Sequence, residues 1–387
     1  MQFRDFDSDA FLRDYWQRRP LLIRNPWKEW RNPLEPDELA GLACEDGVEA
    51  RLIEQASAKS QRRWKVEHGP LPESRFDALD KQRWTLLVQA VDHYVPEVAA
   101  LITPFRFIPN WRIDDVMVSY ASDGGGVGAH FDQYDVFLIQ GAGRRRWQVG
   151  QMCDSATRLL PHDDLRLLAD FEVSEEWILE PGDILYVPPG IAHNGVAIGD
   201  DCMTYSIGFR APSTSELIAH YCDALLDGLH DDARYSDPGL KPQANPGEIN
   251  AAAIARLKGM IVAKMLDTTA FANWFGRYST TPKYPDIDWQ PEEPVEVEAL
   301  QSGIASDVPM RRNPASRFSF FRQEAHSVLL FVDGQSFECS GEAASFAEML
   351  CANDCFTVDH ELGKSTRVLE LLRTLFDRGS LTFESEA

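Results

Sequence analysis

Between about residues 105 and 210 the chain is written in short apolar stretches, each closed by glycine or proline. The stretches are 116–120, 136–140, 146–149, 177–179, 184–187 and 203–209, rich in Val, Ile, Leu and aromatic residues. Gly141-Ala142-Gly143, Glu180-Pro181-Gly182-Asp183 and Pro188-Pro189-Gly190 punctuate them. Segments this short cannot each close the turns of a stable helix, so they read as strands. At this spacing they build a jelly roll, a double-stranded β-helix.

The flanks read differently. The first hundred residues mix helical patterns with loops broken by Pro20, Pro26, Pro33 and Pro36, and no function follows from them. From 213 to about 275 the pattern is helical, with one apolar stripe on Leu217, Ile218, Tyr221, Leu225 and Leu226 and another on Ile254, Leu257, Ile261 and Met265. A Pro-rich segment, 278–294, reads as a linker, and a mixed helix and strand pattern follows it. A chain of 387 residues exceeds what one core supports. The expected α+β organisation is therefore a jelly-roll domain with its N-terminal segment (1–212), a helical region (213–277) and a small linked domain (278–387).

Composition removes several function classes. A hydrophobic share of 44% with 21 Phe, 10 Trp and 10 Tyr is that of a folded chain. No stretch reaches the roughly 18 apolar residues of a membrane span, and Met1-Gln2-Phe3-Arg4-Asp5 does not open a signal peptide, so a cytoplasmic protein with no membrane partner is expected. The seven cysteines are scattered, with no CxxC pair, and read as reduced, mostly buried thiols. Acidic residues outnumber basic ones 61 to 38, and a net charge of −23 repels phosphates and draws basic partners. Free nucleic acid is not expected as a ligand.

Chemistry concentrates in Gly124-Gly125-Gly126-Val127-Gly128-Ala129-His130-Phe131-Asp132. On extended backbone, residues two apart point the same way, so His130 and Asp132 present an imidazole and a carboxylate to one point. An isolated His-x-Asp arises often by chance. Here His193 follows Pro188-Pro189-Gly190, at the start of a strand that a jelly roll brings alongside, as in cupins. Two His and one carboxylate on one side of a metal form the facial triad of non-haem iron(II) oxygenases. Arg144-Arg145-Arg146, expected on a return strand after Asp132, adds cations near the triad. Alternation sends Arg145 to one face and Arg144 with Arg146 to the other, so at most one set faces the interior; the outward set is a solvated strand edge. Trp147 reads as core.

The stretch 111–119, the glycine run into His130-Phe131-Asp132-Gln133-Tyr134-Asp135, and Gly141-Ala142-Gly143-Arg144-Arg145-Arg146-Trp147 together resemble the bacterial ribosomal oxygenases of the JmjC/cupin family, in particular the branch that hydroxylates arginine in large-subunit ribosomal protein sixteen. The resemblance implies that His130, Asp132 and His193 hold Fe(II), that Arg145 binds the distal carboxylate of 2-oxoglutarate, and that Ser119 assists it. It implies dioxygen as co-reactant, a basic ribosomal protein as substrate, a homodimer formed by the helical region, and a C-terminal winged helix. An arginine substrate calls for carboxylates, with Asp114, Asp115, Asp123 and Asp135 as candidates. The rival readings are a cupin metalloenzyme without 2-oxoglutarate, a non-catalytic module holding a basic protein, and a lysine demethylase.

Overall fold

The computed structural model describes residues 2–55, 64–79, 83–229 and 234–384. The chain divides into two compact units: Met1–Ala211 together with Asn313–Ala315, and Pro212–Arg312 together with Ser316–Ala387. No helix among the described residues is long and apolar enough to cross a membrane.

The first unit is built on one antiparallel sheet of nine strands: β1 (Leu21–Ile23), β2 (Ala50–Gln55), β3 (Trp64–His68), β4 (Arg83–Val88), β5 (Ile113–Ala121), β6 (Asp135–Met152), β7 (Val173–Leu179), β8 (Ile184–Val187) and β9 (Ile191–Phe209). Their order is β1-β8-β6-β9-β5-β4-β2-β3, with β7 on β6. Side-chain alternation gives this sheet two unlike faces. Val116 and Val118 of β5 and Met203, Tyr205, Ile207 and Phe209 of β9 join the main hydrophobic core. The intervening Ser119, Cys202, Thr204 and Ser206 are also buried, on the opposite face. The N-terminal segment covers the apolar face: Phe11 stacks edge-on to Tyr186 at 4.9 Å, and Phe105 meets Phe137 at 4.6 Å.

Two features depart from the sequence reading. The first hundred residues contribute β1 to β4 to the sheet as well as short helices. Thr85 to Val88 are buried without interruption, and a strand covered on both faces loses the period-two signal that separates it from a helix. In addition, 136–140 and 146–149 are halves of one 18-residue strand, so the Arg144-Arg145-Arg146 triplet lies on the continuation of the strand after Asp132 and not on a returning one. The Gly141-Ala142-Gly143 break is a bulge within β6, where the pairing with β9 shifts register. Gly143 takes φ +60°, and a Cβ there would lie 2.6 Å from the Asp201 carbonyl oxygen, so the bend requires glycine.

The Pro181-Gly182-Asp183 turn does more than separate strands. The buried Asp183 carboxylate accepts hydrogen bonds from the backbone N–H of Asn25 (3.0 Å) and Glu180 (2.9 Å), and from Arg24 (2.5 Å). The Trp27 indole donates to the Gly182 carbonyl at 2.8 Å. The turn thus fastens the N-terminal segment over the sheet.

In the second unit, α1 (Thr214–Asp227) starts with a Ser213/Glu216 capping box, and α2 (Ala251–Met265) and α3 (Thr268–Thr280) follow. Asp237-Pro238-Gly239 and Asn245-Pro246-Gly247 lie between α1 and α2, within the region read as helical. The helix α3 runs to Thr280, into the segment read as linker, because it packs on a three-stranded sheet of β11 (Phe318–Glu324), β12 (Ser327–Val332) and β13 (Gln335–Ser340). A Cβ on Gly276 would lie 2.2 Å from the Phe331 ring, a closeness only glycine allows. A second small sheet, β10 (Met310–Arg312) between β14 (Cys355–Phe356) and β15 (Leu381–Phe383), joins α4 (Val297–Ala305), α5 (Glu342–Ala352) and α6 (Thr366–Asp377) in one core. By contrast, α2 buries none of its residues and leaves Ile254, Leu257 and Ile261 exposed.

Replacing Asp183 with Ala orphans two backbone donors and should lower the stability of the first unit by about 2–4 kcal/mol. Urea denaturation checks this; an unchanged midpoint would show that the turn does not fasten the segment.

Candidate metal centre

The glycine run delivers His130 to its place. A Cβ on Gly126 would sit 2.3 Å from the Gly195 carbonyl oxygen, and one on Gly125 equally close to that of Trp84. Backbone bonds from Gly124 N–H to Ala197 O (3.0 Å) and from Ala197 N–H to Gly125 O (2.9 Å) hold the run against β9. His130 then forms an isolated antiparallel bridge with His193, each N–H donating to the other's carbonyl, at 3.0 and 2.8 Å. The pair is therefore locked by backbone, although His130 belongs to no continuous strand.

Each imidazole is aimed by its own backbone. Nδ1 of His130 lies 2.9 Å from the Gly128 carbonyl and Nδ1 of His193 lies 3.0 Å from that of Ile191, so a proton on Nδ1 leaves Nε2 as a lone-pair donor. Burial, and then the neighbouring His130, hold the His193 imidazole below its ordinary range, at about 4, against the opposing pull of Asp132. At neutral pH it is uncharged. Asp132 Oδ2 stands 3.6 Å from His193 Nε2, and ligand atoms of His130, Asp132 and His193 all lie within 4.8 Å of one another. Two imidazole nitrogens and a carboxylate converging on one point suit a cation, and this donor set suits iron(II). His130 and Asp132 are part-exposed, so solvent reaches the centre.

The same face continues along β6 and β9. Val149 pairs with His193, Trp147 with Gly195 and Arg145 with Ala197. Directly opposed residues share a face, so Arg145 lies on the His193 side of the sheet. The Trp147 ring covers Gly195, 5.9 Å from the His193 ring, and the Arg145 guanidinium lies 5.7 Å from the indole. Arg145 is 4% exposed, whereas Arg144 and Arg146 are exposed. No carboxylate among the described residues pairs with it, its Nε donates to Cys202 Sγ at 3.4 Å, and its Nη2 has no partner. A buried, uncompensated cation costs several kcal/mol, and a bound anion offsets that cost. Ser119 is buried with its hydroxyl donating to Thr204 O at 3.4 Å, and Thr204 donates to Gln140 at 3.3 Å. Of this polar row the sequence reading named Ser119 and missed Thr204 and Gln140. Its signal was legible, because Cys202, Thr204 and Ser206 alternate with Met203, Tyr205 and Ile207.

The four aspartates read as substrate candidates part ways. Asp135 is fully buried and accepts from Tyr186 (2.6 Å), Gln17 (3.0 Å) and Arg112 (3.0 Å), so it serves the core. Asp115 is buried on Gln89 and the Ala90 N–H, at 2.7 and 2.9 Å. Asp123 closes a loop by accepting from Gly199 N–H at 2.7 Å. Asp114 is half-buried near Gly208, which also neighbours the exposed Tyr134.

Residues 100–217 match the JmjC domain, and residues 263–382 match the ROXA-like winged helix. The chain is 43% identical over 284 residues to the ribosomal protein uL16 3-hydroxylase of Escherichia coli (strain K12), spanning 73% of this chain and 74% of that one. The chain belongs to the bacterial ribosomal oxygenases of the JmjC family. A probable ribosomal oxygenase of Haemophilus influenzae is 40% identical over 280 residues, 69% of this chain and 66% of that one. The crystal structure of the E. coli ribosomal oxygenase YcfD in complex with cobalt and 2-oxoglutarate superposes with a TM-score of 0.86 at 35% identity, covering 99% of each chain. In this ribosomal oxygenase the jelly-roll core and the C-terminal winged helix are thus those of its family.

If the triad is the metal centre, Asp132→Ala abolishes Mn(II) or Co(II) binding without loss of stability, since its carboxylate serves no core contact. Asp135→Ala should do the reverse, costing about 3–5 kcal/mol by stranding Arg112 while metal binding survives. Calorimetric metal titration and urea melts of the two variants check the contrast; metal binding retained by Asp132→Ala would refute the assignment.

Proposed function

We propose that this ribosomal oxygenase uses Fe(II), 2-oxoglutarate and dioxygen to hydroxylate a carbon of an arginine side chain in a large-subunit ribosomal protein. The observation that carries the reading is Arg145: a buried guanidinium with an unpartnered Nη2, on the same face as a His-Asp-His centre. A cupin metalloenzyme without 2-oxoglutarate would leave that cation without purpose.

His130, Asp132 and His193 would hold the iron, which when bound supplies the activation of dioxygen that decarboxylates 2-oxoglutarate to succinate. Arg145 grips the distal carboxylate of 2-oxoglutarate through charge-assisted hydrogen bonds, and the Ser119 hydroxyl lies on the same buried face to assist it. Trp147, packed between Arg145 and His193, walls the pocket and excludes water from the space between the two ends. The protein's share of catalysis is orientation and the delivery of one side chain.

The substrate class follows from the E. coli relative, a uL16 3-hydroxylase, together with the charge of this chain. A net charge of −23 steers a basic ribosomal protein toward the site. The same acidity, including the exposed Glu292, Glu293 and Glu296 within the winged-helix segment, opposes binding of free nucleic acid. A ribosomal substrate places the reaction in the cytoplasm.

The helical region after the jelly roll is read as the seam of a homodimer. The helix α2 exposes Ile254 at 52%, Leu257 at 43% and Ile261 at 64%, an apolar stripe that a two-fold contact would cover.

Incubation of the protein with Fe(II), 2-oxoglutarate and ribosomal proteins should add one oxygen to an arginine of a large-subunit protein, read by peptide mass spectrometry. A gain on lysine or histidine would redirect the substrate reading, and an oxygen gain that does not require 2-oxoglutarate would end it. Substituting Asp for Ile254 and Leu257 should convert a dimer to monomers in light scattering; a monomeric wild type at micromolar concentration excludes the seam.

A further inference from the structure

The Arg145 guanidinium is held by sulfur, not by a carboxylate. Its Nε donates to Cys202 Sγ at 3.4 Å, and Gln140 Nε2 donates to the same sulfur at 3.5 Å while also donating to Ala142 O at 2.7 Å. Cys202 is fully buried and packs with Ala121 and Ala197. Those neighbours are fixed by strand pairing: Ala121 is opposite Cys202 on β5, and Ala197 is opposite Arg145 on β6. The thiol reaches the guanidinium because β6 and β9 bend together, with Gly143 at φ +60° beside Asp201 at φ +61°.

We propose that Cys202 is the positioning residue that sets the Arg145 guanidinium for the distal carboxylate of the cosubstrate, an inference that rests on the 2-oxoglutarate reading above. The Cys202 sulfur accepts a hydrogen bond from the Nε edge of the guanidinium and leaves Nη2, buried and without a partner, for a ligand. A carboxylate in the same place would form a bidentate pair and neutralise the cation. The small side chains of Ala121 and Ala197 leave room beside the sulfur, and Gln140 fixes it from the other side, so the guanidinium has one orientation before the ligand arrives. That preorganisation raises affinity for a dicarboxylate and leaves affinity for the oxo-acid head unaltered.

The test is calorimetric titration of the full-length, Mn(II)-loaded protein with 2-oxoglutarate and with 2-oxobutyrate, which keeps the oxo-acid head and lacks the distal carboxylate. Cys202→Ala should weaken 2-oxoglutarate binding about tenfold, Cys202→Ser should restore most of it, and Cys202→Asp should remove it. Affinity for 2-oxobutyrate and for Mn(II) should stay level throughout, and in turnover the KM for 2-oxoglutarate should rise with kcat at saturation retained. Wild-type affinity in Cys202→Ala overturns the inference, as does a parallel loss of 2-oxobutyrate binding, which would mark a merely structural thiol. Should the Ala variant not fold, Cys202→Val against Cys202→Ser makes the same comparison. Arg145→Ala separates the two levels: if it loses 2-oxoglutarate while Cys202→Ala does not, only the positioning role fails, and if it too binds normally, the cosubstrate reading fails with it.

Discussion

The antiparallel pairing of β6 with β9 is the constraint on which the rest of the site depends. A single ladder sets Val149 against His193, Trp147 against Gly195 and Arg145 against Ala197, so the distal metal ligand and the buried cation share a face by register alone. Slipping β6 by one residue against β9 would turn Arg145 outward, bring Arg144 and Arg146 inward, and separate the buried cation from His193. The bridge between His130 and His193 attaches the glycine run to the same ladder. Register shifts at 140–144 then interrupt the ladder, and Cys202 in the second half of β9 reaches the Arg145 guanidinium.

The energetics of the pocket run against simple stability. Buried charges in folded proteins are normally paired, and in the first unit the buried carboxylates Asp135 and Asp183 are paired, with Arg112 and Arg24. Arg145 departs from this pattern, with a sulfur in place of a carboxylate. His193 is likewise buried and held neutral with no proton to offer Asp132. Such local conflicts mark the places where a fold gives up stability for binding. They lie at the two ends of one face, which is the layout a metal and a dicarboxylate require.

Much of this was legible before any coordinates. Parity alone separated Arg145 from its neighbours once its strand was recognised, and the extended spacing of His130 and Asp132 places their ligand atoms near those of His193. The strands of the N-terminal segment were not legible, because a strand buried on both faces, as in β4, carries no alternation. The continuity of β6 was hidden by its own glycines, which read as a turn and act as a bulge. The acidic candidates could not be sorted either, since whether Asp135 meets a substrate or Arg112, Tyr186 and Gln17 depends on residues far away in sequence. The fate of Cys202 was missed for a related reason: composition treats a buried thiol as filler, and only the register shows what it faces.

A crystal structure of the full chain grown anaerobically with Mn(II) and 2-oxoglutarate tests the central claim most directly. The account predicts the metal on Nε2 of His130 and His193 and on the Asp132 carboxylate, with the distal carboxylate of 2-oxoglutarate against Nη2 of Arg145. A metal bound elsewhere, or a 2-oxoglutarate whose distal carboxylate makes no contact with Arg145, would contradict it.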